Sequence, residues 1–147
     1  MLFETIDLEV HKNKLNDEYR SMKGDTFVSS DYIHVTPLVS PLPKHIGGYQ
    51  IYLYWNATVD DQFTGARVLE MDAIQVIFIL PEGDNDNAVL RELVALSQQA
   101  FADEVSKYCT GTPLKDFKFA EIDYAVIADE ILAYIAKQYP PSVSEKP

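Results

Sequence analysis

The chain has 147 residues, 47% of them apolar and 12% aromatic, which suits one domain with a core of its own. Its 12 Lys and Arg against 23 Asp and Glu give a net charge of -11, which repels phosphate backbones, argues against nucleic acid and suits a basic polypeptide partner. Cys109 stands alone, no stretch approaches the roughly 18 apolar residues of a membrane span, and MLFETIDLEV lacks the pattern of a signal peptide, so the expectation is a cytoplasmic protein without internal disulfides or membrane insertion.

Residues 2 to 10 alternate, with Leu2, Ile6, Leu8 and Val10 on one parity and Thr5, Asp7 and Glu9 on the other, which predicts a first strand. The polar stretch HKNKLNDEYRSMKGD reads as a loop with at most one or two helical turns. Phe27 to Val39 resumes the alternation through Ile33 and Val35. SPLPKHIGG then reads as a crossing loop with Leu42 and Ile46 as apolar anchors, because two prolines and two glycines do not suit a central strand.

GYQIYLYWNATVDD is the third predicted strand, with Ile51, Leu53 and Trp55 on one face and Tyr52 and Tyr54 on the other. The fourth, Arg67 to Leu80, begins with alternation and ends in AIQVIFIL, apolar on both faces, so both faces there need a cover. After PEGDNDN, positions Leu90, Leu93, Val94, Phe101, Val105 and Tyr108 trace one stripe of a helix about 30 Å long. TGTP ends it, LKDFKFAEI is extended, and Asp123 is placed to cap a second helix carrying Tyr124, Ile127, Ile131 and Ile135. The expected domain is residues 1–139, with a disordered tail over 140–147.

Strands followed by helices define an α+β fold: a four-stranded antiparallel sheet with two helices packed on one face. One sheet face is then left without a helix, and it carries Tyr52 and Tyr54 together with apolar residues of the fourth strand. Exposed apolar surface costs about 25 cal/mol per Å², so a second subunit or a ligand is expected to cover it. Tyrosine also sits comfortably on wet strand faces, and this plainer explanation competes directly.

Catalytic signatures are scarce. GxSxG, HExxH, a glycine-rich phosphate loop and CxxC are all missing. His11, His34 and His45 are scattered, and DNDN at 84–87 fails as a calcium loop because Val89 and Ala95 stand where glycine and a bidentate acid are required. Glu70 and Asp72 share a strand face, yet no Lys, Arg or His accompanies them at a definable spacing, so a solvated face explains them better than a shared proton. The expectation is a binding protein rather than an enzyme, with no metal and no cofactor.

In this order of elements, several stretches resemble the SecB family of chaperones and its divergent relatives. YQIYLYWNATV is similar to that family's alternating third strand, and LEMDAIQVIFIL to its fourth. CTGTPLKDFKFAEIDYAVIADEIL resembles the linker into the last helix. The family's glycine pair in the fourth strand is here replaced by the bulkier Ala73 to Val76. The resemblance implies an ATP-independent chaperone, a homodimer or homotetramer, that holds unfolded polypeptides in an apolar groove. By position, the implied groove residues are Leu38, Val39, Leu42 and Ile46 on the loop side, Tyr52 and Tyr54 on the strand, and Tyr124, Ile127 and Ile131 on the last helix; each has core packing as its plain alternative. A small acidic immunity or antitoxin-type protein masking one basic partner fits the charge equally well.

Overall fold

A computed structural model describes residues 1–20, 29–112, 114 and 118–138. The elements are β1 (Leu2–Thr5), β2 (Glu9–Leu15), α1 (Asp17–Arg20), β3 (Ser29–Pro41), β4 (Tyr49–Asp61), β5 (Arg67–Leu80), α2 (Asp86–Tyr108) and α3 (Tyr124–Gln138). The sheet is antiparallel in the order β1-β5-β4-β3, with β2 also paired to β5. The predicted α+β fold is therefore present, with the first predicted strand divided into two pieces on one lane. Residues 6–8 interrupt that lane; Ile6 still donates its N–H to the Val76 carbonyl, and the Gln75 side-chain amide donates to the Ile6 carbonyl at 3.0 Å.

Two other departures from the sequence reading have clear causes. The strand pairing continues through HKNKL to Leu15, because Lys12 and Lys14 lie opposite Asp72 and Glu70 while Leu15 is buried. SPLPKHIGG is not the crossing loop. β3 runs through Pro37 and Pro41 because it is an edge strand, paired to β4 alone among the described residues, and an edge tolerates a missing N–H. Residues 42–48 then make a hairpin turn, closed by Leu42 N–H to the Gly48 carbonyl at 2.9 Å and Gly48 N–H to the His45 carbonyl at 3.0 Å. Gly47 has φ of 82°, a left-handed conformation that favours glycine. The passage from one sheet edge to the other falls between β2 and β3; of it, residues 21–28 lie outside the described part, as does the predicted tail.

The odd-numbered residues of β4, from Ile51 to Val59, are buried at 1% exposure or less. They face α2. Trp55 stacks on Phe101 with ring centroids 5.7 Å apart, and its indole N–H donates to Ser97 Oγ at 2.8 Å, so the ring is packed without leaving its donor unpaired. Leu90, Leu93, Val94 and Val105 complete the buried stripe of α2, close to the one read from the sequence. Each such fully buried side chain contributes about 1.5–3 kcal/mol.

α3 starts where Asp123 accepts the N–H groups of Ala125 and Val126, at 3.1 and 3.3 Å. Its Ala128 and Ile131 are buried. The link from α2 is pinned by Gln98, which accepts the Tyr124 hydroxyl at 2.7 Å and donates to the Ala120 carbonyl at 3.1 Å. At the start of α2 the acids act differently from a helix cap. The Asp86 carboxylate accepts the N–H groups of Glu82 and Gly83, which folds the preceding loop back on the helix.

Candidate functional site

The even-numbered residues of β4 point away from both helices. Register extends that face across the sheet: Leu38, Tyr52 and Val76 form one row, Thr36, Tyr54 and Ile74 the next, and Ser40, Gln50 and Phe78 a third. Leu80 and Leu2 pair at its end. Leu38 is 52% exposed and Tyr54 37%, while Tyr52, Ile74, Val76 and Phe78 are half-buried by one another. The rings of Tyr52 and Tyr54 lie 6.1 Å apart at 30°, and the Gln50 side-chain amide donates to the Tyr52 hydroxyl.

Further along the same strands the open face becomes polar. Asn56 donates to Asp72, Lys12 meets Glu70 at 2.9 Å and Arg67 meets Asp60. The hydrogen bond from Lys12 holds the Glu70 carboxyl below its ordinary range against the opposing effect of burial, and the same contact raises the Lys12 ammonium. Glu70 and Asp72 therefore do have basic neighbours, supplied by β2 and invisible to spacing along β5. Paired in this way they form a charged row rather than a shared-proton pair.

At the opposite end, where the β3–β4 turn meets β1, the face opens into a cavity of about 430 Å³ lined by Leu2, Phe3, Leu42, Phe78, Ile79 and Leu80 together with the polar Glu4 and His45. Gly48 makes this end compact. A Cβ on it would lie 2.9 Å from Leu42 Cδ1 and from Leu80 Cδ2, so a side chain there would push the ends of both leucines aside.

The residues proposed from sequence are thus distributed over three places. Leu38, Tyr52 and Tyr54 come together on the open face, with Leu42 in the end cavity. Ile46 sits at the turn and is fully exposed. Val39 (8% exposed) and Ile131 (1%) are in the core, Ile127 packs against it, and Tyr124 is tied to Gln98. Leu2 and Phe3 were not singled out from the sequence; only the pairing of β1 with β5 brings them to the site. His11, His34 and His45 lie on β2, β3 and the turn, and among the described residues no group of three His, Cys, Asp or Glu is placed to hold a metal. No helix among the described residues is long and apolar enough to cross a membrane.

A sheet with this strand order, followed by two helices on one face, defines a SecB-like fold. Among solved structures, the chain is similar to a Mycobacterium tuberculosis SecB-like chaperone, Rv1957, in complex with a ChAD peptide from the Rv1956 HigA1 antitoxin. The TM-score is 0.50 at 11% sequence identity, over 82% of this chain and 92% of that one. No family model and no curated protein matches the chain.

Proposed function

We propose that this protein is an ATP-independent holding chaperone that captures unfolded or partly folded polypeptides on the open sheet face. The observation that carries the reading is the contiguous apolar surface of Leu38, Tyr52, Tyr54, Ile74 and Val76, which neither helix covers. Such a surface binds many extended chains weakly, and tyrosine rings add contact area at small entropic cost. The acidic exterior, with net charge -11, favours basic clients and keeps the loaded protein soluble. The likeness in fold to a chaperone that binds an antitoxin peptide supports the same reading. Leu42 and Ile46 border the face at the turn, while Val39, Tyr124, Ile127 and Ile131 hold it in place from the helix side. The protein works without a cofactor, as a homodimer or homotetramer in the cytoplasm, and catalyses no reaction.

The test is size-exclusion chromatography with light scattering, with and without a permanently unfolded, reduced and alkylated client. Comigration is expected. The charge favours one second reading, a small acidic immunity or antitoxin-type inhibitor of a single folded basic partner. An inhibitor of that kind ignores the unfolded client and binds its folded partner with a fixed stoichiometry.

A further inference from the structure

β1 and β2 share one lane along the edge of β5 and are held very differently. β2 is fastened by its own groups: Leu15 is buried, Lys12 meets Glu70 at 2.9 Å, and the Tyr108 hydroxyl on α2 donates to the Asn13 carbonyl at 3.1 Å. All of β1 is exposed, Leu2 at 63% and Phe3 at 53%, and among the described residues no side chain of residues 2–5 makes a hydrogen bond or ion pair. The ladder to residues 77–80 holds it, helped by the half-buried Met1, whose ammonium meets the 57% exposed Glu82 at 2.5 Å, a pair that water screens. Beyond β1 the lane breaks, and there Gln75 Oε1 is buried without a donor among the described residues.

β1 also underfills its place. The cavity of about 430 Å³ lies between it and the β3–β4 turn, walled by Leu42, Phe78 and Leu80. On the other face of the same stretch of β5, Ile77 and Ile79 are buried at 1% exposure. The seat is therefore apolar on both sides, whereas β1 brings Glu4 to one side and Thr5 to the other. A strand apolar on both faces fits it better than β1 does.

We propose that β1 is a displaceable strand, and that an extended segment of an unfolded client takes its place on the edge of β5. This rests on the chaperone function proposed above and adds the chemistry of what is held: a run of about four or five apolar residues without proline, bulky at every second position so as to fill the cavity. Such runs form the buried strands of folded proteins and are bare only in unfolded ones. Main-chain hydrogen bonds to β5 then supply affinity without regard to sequence, and the open face beside the seat receives the next part of the client. A seated β1 lowers the apparent affinity in proportion to the time it occupies the edge.

Hydrogen exchange in the full chain, with a reduced and alkylated client, reads the displacement directly. Ile6 donates to β5, so by the alternation of an antiparallel ladder Leu2 and Glu4 donate to it as well, and Phe78 and Leu80 donate back. Capture should speed exchange at Leu2 and Glu4 while Phe78 and Leu80 stay protected. Glu4→Pro should unseat β1 and tighten capture about fivefold, and Glu82→Gln, by dropping the Met1 contact, should act in the same direction more weakly. A disulfide made by Leu2→Cys with Leu80→Cys should lower capture several-fold in the oxidised chain, and reduction should restore it, with Cys109 buried. A lysine-flanked peptide of Val, Ile and Phe should compete with the client, and the same peptide with a central proline should not. Leu2 and Glu4 amides that stay protected during capture, or a disulfide without effect, overturn the proposal; loss of capture on Tyr52→Asp with Tyr54→Asp then keeps the chaperone reading standing. Disulfide-linked pairs of chains in place of the internal bond put the β1 of a second copy in the seat and also overturn it. If no variant captures the client, both readings fall.

Discussion

The two faces of β4 have nearly the same aromatic content and opposite fates. On one, Trp55 is stacked on Phe101 and its indole nitrogen is spoken for by Ser97. On the other, Tyr52 and Tyr54 stack on each other. A strand alternates its side chains with a period of two, so the same 13 residues carry the core on one face and, in the proposed function, client recognition on the other. Substitutions on the odd positions should therefore unfold the protein, and substitutions on the even positions should disarm it.

The largest effect is expected at the covered face. Leu53→Ala removes a side chain with 0% exposure and should cost about 2–5 kcal/mol of unfolding free energy, measured by chemical denaturation. The contrast is Tyr52→Asp with Tyr54→Asp. Capture of an unfolded client should fall at least about tenfold, read by fluorescence anisotropy, with stability changed by less than about 1 kcal/mol. If capture and mass are both untouched, the tyrosines are solvated strand residues and the two faces do not divide the work. Outside the sheet, Asp123→Ala should cost about 1 kcal/mol by loss of the α3 cap, without altering β4 on either face.

The smallest effect is a matter of pH. Asp61 ends the buried face of β4, and the Tyr19 hydroxyl donates to it at 2.7 Å, with the Phe63 N–H as a second donor. These bonds, the one from Tyr19 foremost, hold the Asp61 carboxyl below its ordinary range although burial pushes the other way. A depressed carboxylate contributes stability above its unfolded pKa of about 4 and loses it as pH falls through the lower folded value. Tyr19→Phe should therefore move the acid-unfolding midpoint to higher pH while leaving client capture at neutral pH unchanged.

What could be read in advance followed from how local the governing physics is. β4, α2 and α3 were legible because alternation or helical spacing runs for 13 residues or more in each, and β5 because its short alternation leads into an unbroken apolar run. The exposed tyrosine pair was legible for the same reason. The divided first lane was not, since its break depends on Gln75 reaching across to Ile6 from a strand nearly seventy residues away. The hairpin turn was misread because Pro41 argues against a strand only when the strand is central, and centrality is a property of the sheet, while Pro43 and the two glycines belong to the tight turn that joins β3 to β4. For the candidate site, Val39 and Ile131 could not be separated from Leu38 by type, as all three are branched aliphatics. Only the pairing of β3 and the packing of α3 decide which of them reaches solvent.

The pairing of β1 with the far end of β5 also carries a timetable. Leu2 has its partner at Leu80, so during synthesis β1 cannot be placed until β5 has been made. At about 5–20 residues per second the first strand waits roughly 4–15 s for it. During that interval Leu2 and Phe3 are bare, and the newborn chain is itself the kind of molecule that a holding chaperone recognises.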